Sequence, residues 1–193
     1  MEETLTVQLR RWTRREYDQL IELGMLGTED RIELIGGQLV VAEPQSAYHY
    51  TAIRLVAAAI AEAFGPGWDV RSEGPVALDD ESEPEPDVAV VRGAPMDYRD
   101  EHPARPVLVV EVALSSLAFD RAHKGSLYAR AGLKDYWVVD LAHRALEVYR
   151  EPVRDAGAAF GWRYGLAIRL GPGDSVQPLA ALEARVAVAS LLP

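Results

Sequence analysis

Two apolar runs, Val88-Ala89-Val90-Val91 and Val107-Leu108-Val109-Val110, interrupt a chain in which apolar and polar positions otherwise alternate or recur at helical spacing. A strand with one wet face alternates, so runs without polar breaks predict central strands covered on both sides. Tyr136-Trp137-Val138-Val139 is a third such run. Upstream, Thr13 followed by Glu16 reads as a capping box opening a helix with apolar positions Tyr17, Leu20, Ile21 and Leu23, stopped by Gly24. Two β-rich runs, 31–35 and 38–41, flank Gly36-Gly37 and predict a hairpin, whose pleat puts Glu33 on the face opposite Ile32 and Leu34.

Ser46 caps a predicted helix over 47–64, closed by Gly65-Pro66-Gly67. Its middle, Ala57-Ala58-Ala59-Ile60-Ala61, is apolar nearly all round, which predicts cover on more than one side. Strand-like pieces follow at 68–71 and 76–78, then an acidic stretch, 79–83, expected to be a loop or solvated turn. A helix over 119–131 stops at Gly132, and residues 141–144 turn the chain into a strand at 146–149. One or two outer strands fall within 160–170, and a short helix over 186–192 closes the chain. The sum is an α/β fold: a mixed central β-sheet flanked by helices, with an N-terminal helix and β-hairpin.

At 193 residues, with 49% hydrophobic and 26% charged positions, the chain is expected to form a single domain, 1–193, of ordinary globular composition. The absence of cysteine excludes disulfides and thiolate chemistry and fits a reducing compartment. No apolar run approaches the roughly 20 residues that span a bilayer, and Met1-Glu2-Glu3 lacks the basic start of a secretion signal, so a cytoplasmic location is expected. A formal net charge of −10 opposes tight non-specific binding to DNA, yet clustered carboxylates can be metal ligands.

Chemistry gathers between residues 85 and 124. Asp87 follows Pro86 at the head of the first buried run, and Glu111 closes the second. Asp120 and Lys124 share a helix face at i, i+4, with Tyr128 one turn on. Carboxylate oxygens are the hard donors Mg²⁺ and Mn²⁺ prefer, and a nearby Lys can orient water or offset charge at a phosphodiester. Each residue alone has a plainer reading. Asp87 can cap a turn, Glu111 can end a strand in solvent, and Asp120 with Lys124 can be a surface helix pair. Glu33 can be an exposed strand residue, and His49, in a first helical turn, a solvated one. The set tips the balance toward a site. Ser115-Ser116 lies in no G-x-S-x-G elbow, Gly36-Gly37 belongs to no phosphate-binding loop, and His102, His123 and His143 lack zinc-ligand spacing. Trp137 reads as core.

These residues resemble the PD-(D/E)XK nuclease superfamily, and within it the Uma2 restriction-endonuclease family. The matching pieces are Glu33-Leu34-Ile35-Gly36-Gly37-Gln38-Leu39, His49, Pro86-Asp87-Val88, Leu108-Val109-Val110-Glu111-Val112, Asp120-x-x-x-Lys124, and Tyr128 through Asp140. The resemblance implies a restriction-endonuclease-like sheet, a Mg²⁺ or Mn²⁺ site and hydrolysis of phosphodiester bonds in DNA. It makes Asp87 and Glu111 metal ligands, joined by Glu33, with Asp87, Glu111 and Lys124 catalytic and His49 and Asp120 supporting. The usual lysine position, two after the glutamate, is Ala113 here, so the role passes to Lys124. Leu114-Ser115-Ser116-Leu117 departs from the Ser-Pro the family often carries. A homodimer would suit a two-stranded substrate. Two other readings stay open: a catalytically silent nucleic-acid-binding or protein-interaction module of the same fold, and a two-carboxylate glycosidase.

Overall fold

The computed structural model describes residues 9–27, 30–42 and 44–193; the Met1-Glu2-Glu3 start lies outside them. Helix α1 (Arg14–Glu22) leads into a hairpin of β1 (Ile32–Ile35) and β2 (Gln38–Val41), then the long helix α2 (Ala47–Phe64). Strands β3 (Trp68–Ser72), β4 (Val88–Arg92) and β5 (Leu108–Ala113) follow. A continuous helical segment comes next: α3 (Leu117–Phe119), a π-helical turn (Asp120–Lys124) and α4 (Gly125–Arg130). The chain ends with β6 (Asp135–Asp140), β7 (Ala145–Arg154), β8 (Trp162–Leu170) and the small pair β9 (Ser175–Val176) and β10 (Val186–Ala187).

The main sheet has the order β3-β4-β5-β6-β7-β8. Its neighbours pair antiparallel except β5 and β6, which run parallel and are joined through the helical segment. The uninterrupted apolar runs are its middle, β4, β5 and β6, and both faces are covered as their pattern requires. On one face Val88, Val90, Leu108 and Val110 meet Ile53, Val56 and Ile60 of α2. On the other, Ala89, Val109 and Val138 meet Tyr128 and Ala129 of α4.

Local rules placed the caps. Thr13 forms the capping box with Glu16. Gly24, at φ +67, lets its own N–H reach the Ile21 carbonyl and that of Met25 reach Leu20, each at 2.9 Å, the two bonds of a Schellman stop. Ser46 caps α2 and Gly65 closes it. In the hairpin, a Cβ on Gly36 would stand 2.2 Å from the ring of Phe160, so that turn admits no side chain.

Other expectations need correction. The apolar positions of α1 do not form a buried face: Tyr17 is buried, but Ile21 is 47% and Leu23 74% exposed. The cover expected on more than one side of α2 is present, from the sheet and the C-terminal segment, while Ala58 and Ala61 face solvent. Residues 76–78 are extended without forming a strand of the sheet, and the closing helix is β10 followed by a 3-10 turn, Val188–Leu191. The acidic stretch does turn, closed by the Asp79–Ser82 bridge with Asp80 exposed, but its end is not solvated. Ser82 and Glu83 are buried because the Gly36 N–H donates to Ser82 Oγ (3.2 Å) and the Glu83 N–H to the Leu34 carbonyl (2.7 Å).

Burying Glu83 has an energetic consequence. Desolvation, reinforced by Asp18 and Glu85 and opposed by Arg14, pushes its carboxyl up to about 7. A folded-state value above the unfolded one favours the protonated native protein, so this group's stability is present below about 4.5 and is lost as pH rises through about 7. Glu83→Gln is therefore expected to match the wild type near pH 5 and to melt higher at pH 8. Melting curves across that range check it; a lower melting point for the variant at pH 8 contradicts it.

Candidate active site

The β4–β5 register pairs Val88 with Val110 and Ala89 with Val109. Continued by one residue, it sets Asp87 across from Glu111. The atoms agree: Val112 N–H donates to Asp87 Oδ2 at 2.6 Å, and Asp87 N–H points at Glu111 Oε2 at 3.4 Å. Pleat alternation aims both carboxylates at the face covered by the helical segment. Glu111 does not end its strand; β5 runs on to Ala113, and Glu111 is buried.

The helical segment delivers the cation. Lys124 Nζ lies 3.1 Å from Glu111 Oε1 and 3.3 Å from Glu33, which β1 brings in from the hairpin. Glu33 also accepts from the Glu85 N–H at 3.1 Å. Tyr128, a turn beyond Lys124, donates its hydroxyl to Glu111 Oε1 at 2.8 Å. Asp120 accepts from Ser116 Oγ at 2.5 Å. The first turn of α2 brings His49 Nε2 to 4.0 Å from Asp87 and against the Val112 carbonyl. In the π-helical turn Gly125 N–H returns to the Asp120 carbonyl, which Tyr136 OH also reaches at 3.0 Å. That bond is one residue longer than an α-helical one, and such turns recur at functional sites.

Every residue singled out from the sequence, Glu33, His49, Asp87, Glu111, Asp120 and Lys124, lines one cleft of about 640 Å³. The plainer readings of Glu33, Glu111, Asp120 and Lys124 fail on burial, since all four are shielded from water; Asp87 and His49 are half-buried. Glu85 is a further carboxylate in this cleft. Its signal was available, since it stands two residues before Asp87, but an acid beside proline is too common to single out. Tyr128 and Ser116 were visible in the sequence, but the bonds of their hydroxyls to Glu111 and Asp120 could be found only in three dimensions.

Electrostatics follow from crowding. Burial pushes the Asp87 carboxyl up to about 6, against the pull of Lys124, the Val112 N–H and His49. Glu111 is raised further, by burial first and then by Asp87, Asp120 and Glu33. Asp120 and Glu85 are also raised, chiefly by burial. Burial alone would lower Lys124, but four surrounding carboxylates raise it, so it stays charged. One ammonium among so many acids leaves an uncompensated negative field. Among the described residues no three His, Asp or Glu side chains close into a finished cation cage. Mg²⁺ does not need one, since it binds through one or two carboxylates and fills its remaining positions with water and substrate phosphate. The donor set fits such an ion: hard oxygens of Asp87 and Glu111 on adjacent strands, in a field short of positive charge.

A family model described as "Uma2: Putative restriction endonuclease" matches residues 14–189. Among solved structures, a "putative nuclease belonging to DUF820" from Anabaena variabilis shares the fold, with a TM-score of 0.63. The two chains are 16% identical over 89% of this chain and 96% of that one. No curated protein matches. Among the described residues, no helix is long and apolar enough to cross a membrane.

Proposed function

The chain belongs to the Uma2 restriction-endonuclease family, and on that premise we propose that it hydrolyses phosphodiester bonds in DNA with a divalent metal held by Asp87 and Glu111. The observation that carries this is the pairing of those two carboxylates across β4 and β5, with Lys124 3.1 Å from Glu111. When bound, Mg²⁺ or Mn²⁺ supplies Lewis acidity at the scissile phosphate.

The chain's own residues do the rest. Lys124 sets a fixed positive charge where negative charge develops on the phosphoryl oxygens, and its rigid surroundings spare reorganisation. Glu33, held by Lys124 and the Glu85 N–H, stands ready as a further ligand. His49 and the Val112 N–H orient Asp87. Tyr128 fixes Glu111 Oε1, leaving Oε2 toward Asp87. Tyr128→Phe is expected to weaken the metal roughly ten- to a hundredfold, the usual cost of losing a hydrogen bond behind a ligand. Manganese titration followed by melting temperature reads this out, and an unchanged titration removes the role.

A catalytically silent module of the same fold is the second reading. Its support is that Lys124 already ties Glu111 to Glu33 as a finished ion cluster. The test is incubation with supercoiled plasmid in Mn²⁺, alongside melting curves with and without the ion. Nicking and a raised melting temperature are expected, because a ligand of the folded state alone must stabilise it. Neither nicking nor stabilisation would hand the site to the silent reading.

A further inference from the structure

Continuous with the catalytic cleft, and sharing Arg31, Val41, Ala42, Pro44, Gln45 and Ser46 with it, a groove of about 610 Å³ runs out between the hairpin and the first turn of α2. Away from the cleft's carboxylates it presents exposed apolar and aromatic side chains. Val41 is 68% exposed on one wall and Tyr50 46% on the other. Arg31 sits where groove and cleft meet, its backbone at φ +47 and its carbonyl held by the Ala42 N–H at 2.8 Å. Arg31 forms no ion pair within 4.0 Å among the described residues, as is true of Arg15 and Arg54, and its charge acts on the cleft carboxylate Glu85, whose pKa it pulls down. Asp30, also on the groove, is occupied by the Gly27 N–H at 2.7 Å.

A cation flanked by an exposed ring and an aliphatic wall suits a single strand, whose phosphates take the charge and whose unpaired bases stack. A duplex footprint needs a broad basic face, and a chain of net charge −10 is short of one. We propose that this groove seats a single-stranded segment of nucleic acid beside the reacting phosphate, with Arg31 on a backbone phosphate and a base stacked on Tyr50. The proposal rests on the nuclease reading for why a strand lies there at all.

The experiment is fluorescence anisotropy of a labelled oligothymidylate on the full chain in EDTA, so that no strand is cut, with cleavage in Mn²⁺ followed separately. Arg31→Gly removes the guanidinium while suiting the positive φ. It is expected to weaken binding roughly tenfold and to lower the salt slope by about 0.7, the share of one single-strand phosphate. Arg31→Lys keeps the slope. Tyr50→Ala weakens binding roughly tenfold, and Tyr50→Phe does not. The proposal is overturned if the wild type binds no oligonucleotide, if Arg31→Gly and Tyr50→Ala bind like the wild type, or if a matched duplex binds as tightly. Binding that shows these dependences without cleavage sinks the nuclease reading and leaves the groove standing. Cleavage with binding indifferent to both residues does the reverse.

Discussion

Lys124→Met is expected to lower the melting temperature by about 10 °C at pH 8, and to remove cleavage. Lys124 is buried and bridges Glu111 and Glu33, whose carboxylates lie 3.1 and 3.3 Å from its ammonium. Removing one partner of a buried ion cluster strands the others without compensation, which costs about 3–5 kcal/mol. The loss depends on pH in a way that simple packing damage would not. Without the ammonium, the carboxyls of Asp87 and Glu111, already raised by burial, rise further. Groups raised in the folded state withdraw stability as pH climbs from their unfolded values through their folded ones. The deficit should therefore be small near pH 5 and full at pH 8. A deficit equal at both would show that the methylene chain of Lys124, not its charge, matters to the fold.

Asp87→Asn separates chemistry from stability in the opposite sense. Cleavage should fall about a thousandfold, the upper range for deleting one preorganised electrostatic group, and Mn²⁺ should no longer raise the melting temperature. The metal-free protein should be as stable as the wild type at pH 8, or more so. Asparagine keeps an oxygen for the Val112 N–H and removes one charge from a crowded set whose ionisation burial opposes. The pair of measurements is melting with EDTA and with Mn²⁺, beside plasmid cleavage. Retained turnover would end the assignment of Asp87, and a collapsed melting point in EDTA would recast it as a structural residue.

What could be read from the chain alone divides along the range of the interactions. Caps and strand patterns depend on neighbours a few residues away, so Thr13, Ser46, Gly24 and the runs in β4, β5 and β6 were legible. The pairing of Asp87 with Glu111 followed once two buried strands were placed side by side. Long-range closure was not legible. Lys124 meets Glu33 across 91 positions, and Arg130 reaches Asp79 and Ser82 across the fold. Amphipathic spacing in α1 stated which face is apolar, but not whether anything covers it. Ser82 and Glu83 looked wet because the residues around them are polar, whereas the β-hairpin backbone buries these two and leaves Asp80 exposed. The π-helical turn escaped notice because i, i+4 spacing puts Asp120 and Lys124 on one side in either kind of helix.

The parallel pairing of β5 with β6 through the helical segment also sets an order on folding. Strands β4 and β5 are near in sequence and can pair early, but a parallel partner waits for its crossover to close, the slower event. Lys124 travels on that crossover. Until it docks, Glu111 has no counter-ion, so an intermediate with β4 and β5 paired must keep that carboxyl hydrated or protonated. Docking of that crossover and the neutralisation of Glu111 are one event, and refolding should quicken as the solution is made mildly acidic.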